Sequence, residues 1–140
     1  MEKNQVKIFC DGGARGNPGP AAWAFVVYAG DAKIWEDSGF IGKTTNNVAE
    51  YQAVIHALKW LVFNKNKFEG PIFFYLDSEL VVNQLNGRYK IKSGNLKPLI
   101  IKVRDLENQS SLTFRYGHVL RNKNKIADAL LNQTLDTSGT

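Results

Sequence analysis

The hydrophobic period of this chain first changes at the polar stretch Thr44–Asn47, and that change limits its fold more than any other feature. Three strand-like runs precede it. In Gln5–Cys10, Val6, Ile8 and Cys10 alternate with Lys7 and Phe9. Ala21–Tyr28 is rich in aromatic and β-branched residues. After a turn at Ala29–Asp31, Lys33–Ile41 completes an antiparallel meander. Beyond the stretch the apolar spacing becomes helical. Tyr51, Val54, Ile55, Leu58, Leu61 and Val62 share one face, and Asn47 as N-cap with Glu50 three residues on forms a capping-box pattern. Ile72–Leu76 is continuously apolar, as in a central strand buried on both faces. Ser78–Asn86 reads as a short helix stopped by Gly87, and Leu96–Leu106 as a helix with Pro98 in its first turn. Leu112–Tyr116 reads as a fifth strand. Lys125–Leu135 reads as a last helix with Ile126, Ala127, Leu130, Leu131 and Leu135 inward, and residues 136–140 as a frayed tail.

The order β-β-β-α-β-α-α-β-α predicts a single α/β domain over residues 1–140, with a five-stranded mixed sheet and helices on both faces. Three antiparallel strands come first and two parallel ones follow, so that the first, fourth and fifth strands run parallel. A length of 140 residues suits one core. The single cysteine, Cys10, cannot form an internal disulfide and is expected to pack as a small apolar residue, which together with the lack of an apolar leader suits a reducing cytoplasm. No stretch is long enough to span a bilayer, so no membrane partner is expected.

Eighteen Lys and Arg against thirteen acids give a net charge of +5, a balance suited to a polyanionic partner. Against this background four acids stand on separate rigid elements: Asp11 opening the loop DGGARGNPGP, Glu50 in TTNNVAEY, Asp77 in FFYLDSEL and Asp128 in NKNKIADAL. Singly each has an ordinary role. Asp11 suits a turn before Gly12 and Gly13, Glu50 a capping box, Asp77 an N-cap and Asp128 a pair with Lys125. Jointly they point elsewhere. Asp11 and Asp77 fall at carboxyl ends of strands, where ligands gather in open sheets. Oxygen donors converging there suit hard cations such as Mg²⁺ or Mn²⁺, and zinc poorly, since no His or Cys cluster has ligand spacing.

The stretches DGGARGNPGP, TTNNVAEY, LDSELVVNQLNG and HVLRNKNKIADAL resemble those of the type 1 ribonucleases H, in family order, from Val6 to about Leu135. The resemblance implies the ribonuclease H-like fold and hydrolysis of the RNA strand of an RNA–DNA hybrid by two Mg²⁺ ions, with Mn²⁺ as a substitute. It carries the Asp-Glu-Asp-Asp quartet onto Asp11, Glu50, Asp77 and Asp128, with Asp11 bridging both ions. The implied products have 5′-phosphate and 3′-hydroxyl ends. Asn17 and Asn47 match positions that meet the hybrid in its minor groove, where 2′-hydroxyls mark RNA. Thr45 and Asn46 match positions near the DNA backbone. Gly12 and Gly13 are expected to keep side chains clear of the nucleic acid. His118 and Arg121 compete for an auxiliary role in proton transfer or product departure.

Two departures bear on substrate grip. The chain is a short form without the family's long basic insertion; only GRYKIKSGN fills the gap, where Arg88, Lys90 and Lys92 are left to touch phosphates. Glu79 stands where many members have glutamine. No N-terminal hybrid-binding extension, no obligatory protein partner and a monomer are expected. The competing readings are a non-cleaving hybrid- or RNA-binding module of the same fold, and a related nuclease or integrase acting on DNA.

Overall fold

A computed structural model describes residues 5–138. Five strands form one sheet: β1 (Val6–Ala14), β2 (Gly19–Ala29), β3 (Ala32–Thr44), β4 (Pro71–Leu76) and β5 (Thr113–His118), in spatial order β3-β2-β1-β4-β5. β1, β2 and β3 are antiparallel neighbours, while β1, β4 and β5 run parallel. The helices are α1 (Asn46–Phe63), α2 (Glu79–Leu85), α3 (Lys97–Ser110) and α4 (Lys125–Ser138). The mixed sheet expected from the pattern is the one observed.

The period-two alternation decides what each face buries. Val6, Ile8 and Cys10 of β1 join Trp23, Phe25 and Val27 of β2 and Ile72, Phe74 and Leu76 of β4 on the face covered by α1 and α3. Tyr51, Val54, Leu58 and Leu61 of α1 are fully buried against them, each removal from water contributing roughly 1.5–3 kcal/mol. On the opposite face α4 sets Leu131 and Leu135 against Ala22 and Ala24 of β2. Small residues at 22 and 24 let this helix sit close to the sheet.

Several boundaries differ from the sequence reading, each for a physical reason. β1 does not stop at Cys10: it pairs with β2 through Asp11↔Ala24 to Ala14↔Ala21, so Asp11 stands inside a strand and the loop begins four residues later. The N-cap of α1 is Thr45, whose hydroxyl accepts from the Val48 amide at 3.3 Å, and not Asn47. Glu50 caps nothing, because its carboxylate is turned to the sheet. Ser78 caps α2 in the same way as Thr45 caps α1. α3 runs on to Ser110, and α4 continues to Ser138, so 136–138 are helical; residues 139 and 140 lie outside the described part. Ile126, expected inward, is 52% exposed, since α4 buries the Ala127–Leu131–Leu135 stripe one position on. Cys10 is fully buried and burial pushes its thiol pKa up, which removes the thiolate that cysteine chemistry needs. His56 lies stacked on Trp23 with centroids 3.8 Å apart, a packing role.

Candidate metal centre and nucleic-acid groove

The site begins with a close approach of strand and helix. A Cβ at Gly12 would overlap the backbone carbonyl of Ala49, so only glycine lets β1 come this near to α1. At that approach the Gly12 N–H donates to Oε1 of Glu50 at 2.8 Å. The hydrogen bond turns Glu50 off the helix surface and holds it beside Asp11, both only 4% exposed. Gly12 therefore serves strand–helix packing; the carboxylate is positioned as a consequence. A Cβ at Gly13 would meet only ordinary contacts, with Leu131 at 3.5 Å.

Asp77 follows directly on β4, the parallel neighbour of β1. Asp11, Glu50 and Asp77 each offer a carboxylate oxygen, and these oxygens lie within 4.8 Å of one another. Asp128, in the first turn of α4, lines the same groove and stands beside Asp11. It lies outside the tight threesome among the described residues. Burial and then the Asp77 charge push the Asp11 carboxyl up to about 7; burial and then Asp11 hold Glu50 well above its usual range. Packing like charges out of water is unfavourable unless a counter-charge arrives.

The donor set tests whether a cation fits. Oδ2 of Asp11 and Oε2 of Glu50 are buried with no hydrogen-bond partner. Buried carboxylate oxygens are seldom left so, and two adjacent ones facing a third carboxylate suit a hard divalent cation. Only oxygen donors converge, which matches Mg²⁺ or Mn²⁺ chemistry and not a thiolate or imidazole site.

The sequence reading passed over Asn124. It is 1% exposed, and its amide nitrogen donates to the Cys10 carbonyl at 2.9 Å and to Oδ2 of Asp77 at 3.4 Å. Its backbone carbonyl accepts from the Asp128 amide at 3.0 Å, which starts α4. The side chain thus ties β1 to the end of β4, and the backbone of the same residue starts the helix bearing Asp128. Its place before a helical apolar run marks it only as a cap candidate, and its side-chain oxygen caps nothing, so no local signal points to the bonds it makes.

Around the carboxylates opens a groove of about 350 Å³. Gly12, Gly13, Asn46, Asn47 and Arg121 line it, as does Arg15, which the sequence reading had not singled out. At its rim Asn17 Oδ1 accepts from the Asn46 amide at 3.0 Å, and Asn46 Oδ1 accepts from the Ala14 amide at 2.8 Å. Each carbonyl oxygen is committed to the protein, so each side-chain NH₂ remains as a donor for a ligand. The cis peptide Asn17–Pro18 lies in this rim turn. Thr45, whose hydroxyl caps α1, sits outside the lining. His118 is exposed at the end of β5 and does not line the groove, whereas Arg121 does. Arg88 and Lys90 stand exposed after α2, also outside the lining.

Known proteins resemble this chain in sequence and fold. A family model described as reverse transcriptase-like matches residues 9–134. A bifunctional protein of Mycobacterium tuberculosis is 38% identical over 136 residues, covering 96% of this chain and 36% of that protein. The chain thus spans about a third of that relative's length. Ribonuclease H of a Cyanothece species is 35% identical over 142 residues, covering 93% of this chain and 88% of the relative. Among solved structures, LC11-RNase H1 in complex with an RNA/DNA hybrid superposes with a TM-score of 0.91 at 37% identity, covering 97% of this chain and all of that one. RNase H1 from Halobacterium salinarum superposes with a TM-score of 0.85 at 36% identity, covering 96% and 99%.

Proposed function

The chain belongs to the ribonuclease H family, of type 1, and from that membership we propose that it is an endonuclease hydrolysing the RNA strand of RNA–DNA hybrids, leaving 5′-phosphate and 3′-hydroxyl ends. The observation that carries the reading is the meeting of Asp11, Glu50 and Asp77, two of them with orphaned buried oxygens, in a groove rimmed by amide donors. A binding module gains nothing from buried, mutually repelling carboxylates. A hydrolase needing divalent cations does.

Asp11, Glu50, Asp77 and Asp128 would hold two Mg²⁺ ions in this reading. When bound, the ions supply Lewis acidity that lowers the pKa of an attacking water and offsets charge on the leaving 3′-oxygen. The protein's own groups do the rest. Asn124 keeps Asp77 and the start of α4 in fixed relation to β1. Asn17 and Asn47 offer donors to 2′-hydroxyls of the RNA strand. Asn46 and Thr45, at the amino end of α1, meet the DNA phosphates, where a helix N-terminus favours anions. Arg121, lining the groove, is assigned the auxiliary role in place of His118. The protein works as a monomer.

The test is a labelled hybrid offered beside duplex DNA and duplex RNA, with Mg²⁺, Mn²⁺ or EDTA. Cleavage of the hybrid's RNA strand alone, lost in EDTA, is the expected result. Hybrid binding without cleavage in either metal would leave the binding module instead.

A further inference from the structure

The helices leave part of the sheet bare. On the face that carries Asp11, α4 packs on β1, β2 and β3, while α1, α2 and α3 join the core of the other face. Among the described residues no helix packs on the β4–β5 part of this face, and the first turn of α4 only flanks the start of β1. Cross-strand pairing lays out what it presents. One row runs Tyr28–Lys7–Phe73–Arg115 and the next runs Phe9–Tyr75–Gly117.

These rows are half-buried aromatics interleaved with cations. Phe9 and Tyr75 stack with centroids 5.2 Å apart, and Phe9 meets Tyr28 edge-on at 5.8 Å. Tyr75 lies over Gly117, where an added Cβ would stand 3.3 Å from the ring. The missing side chain lets the ring lie along the sheet. Beside Phe9 a cavity of about 230 Å³ is lined by Tyr28, Lys7 and Lys123, with Asp31 as its one acid. Among the described residues Lys7, Arg115 and Lys123 make no ion pair. Two rows of aromatics on adjacent central strands with unpaired cations between them match the chemistry of bases and phosphates. A protein partner would meet desolvated, unpaired cations there, which disfavours it.

We propose that this bare half-face is a second nucleic-acid site, separate from the groove, that takes single-stranded nucleic acid, bases stacking on Phe9 and Tyr75 and phosphates meeting Lys7, Arg115 and Lys123. The Arg121–Asn124 segment lies between the two sites, since Asn124 lines the cavity and also bonds Asp77. The surface would hold a single strand that flanks a hybrid or leaves it.

The probe is a short fluorescein-labelled oligouridylate, followed by anisotropy in EDTA over a range of salt. Lys7→Glu/Arg115→Glu is expected to weaken binding at least about ten-fold and to lower the salt slope by about 1.4. Cleavage of a blunt hybrid should be unchanged. Tyr75→Ala should weaken binding roughly ten-fold. Lys102→Glu, on the helix-covered side, and Asn17→Ala, at the groove rim, should leave oligouridylate binding as it was. The charge variants keep the test decisive if Tyr75→Ala does not fold. Equal loss with Lys102→Glu, loss with Asn17→Ala, or unchanged binding in Lys7→Glu/Arg115→Glu would overturn the proposal. So would self-association through this face, seen as a concentration-dependent dimer abolished by Lys7→Glu/Arg115→Glu without any change in oligouridylate affinity.

Discussion

The Gly12 N–H donates to the Glu50 carboxylate at 2.8 Å, and it reaches that carboxylate only because residue 12 has no Cβ to strike Ala49. Packing and chemistry depend on one hydrogen atom at Cα. Gly12→Ala should therefore lower stability by about 2 kcal/mol or more through overpacking, and should cut activity beyond the loss of folded protein. Denaturant unfolding beside hybrid cleavage at a temperature where the variant is folded checks both. Normal activity in the folded variant would show that Glu50 needs no such positioning.

Asn124 yields a sharper separation. Asn124→Ala removes the donor to Asp77 and to the Cys10 carbonyl, and should raise the Mg²⁺ concentration for half-maximal activity several-fold while the KM for hybrid stays near normal. Asn124→Asp should be worse, since it places another carboxylate against Asp77. Metal titration by calorimetry, independent of turnover, is the check. An unchanged metal affinity would reduce Asn124 to a structural bond to the Cys10 carbonyl.

The buried carboxyls make stability depend on pH and metal together. The Asp11 carboxyl is raised from 3.8 to about 7 by burial, so the folded protein holds its proton more tightly than the unfolded chain does. That stabilisation is complete below about pH 4 and is lost as pH rises through about 7. Glu50 shifts in the same direction. In EDTA the melting temperature should fall between pH 5 and 8; Mg²⁺ should raise it more at pH 8 than at pH 5. Asp11→Asn should flatten both trends. A metal-free melting temperature that rises over this range would contradict the burial of these charges.

Arg121 lines the groove and His118 does not. Arg121→Ala should reduce kcat roughly ten-fold or more, with His118→Ala costing under about three-fold, in single-turnover and steady-state assays of the hybrid. The reverse ranking would return the auxiliary role to His118.

The order of elements was readable because period-two and period-3.6 patterns alternate cleanly, and the four acids because they sit beside Gly, Ser or apolar runs. What escaped depends on tertiary approach. Asp11 looked like the first residue of a loop because Gly12 and Gly13 are turn formers, yet pairing with Ala21–Ala24 draws them into β1. Asn47 looked like the cap of α1 because of its spacing to Glu50; the Gly12 amide claims Glu50 instead and Thr45 caps. Asn124 lies far in sequence from both β1 and Asp77, so nothing local marks its two bonds. The bare half-face is invisible without the sheet order, which decides that Phe9 and Tyr75 stand side by side.

The most direct measurement compares the wild-type chain with Asp11→Asn on an RNA–DNA hybrid in Mg²⁺, with hybrid affinity and melting temperature recorded alongside. Loss of cleavage by at least about a thousand-fold is predicted, with the fold kept and hybrid still bound. Near-normal cleavage by folded Asp11→Asn would contradict the assignment of hydrolysis to this carboxylate site.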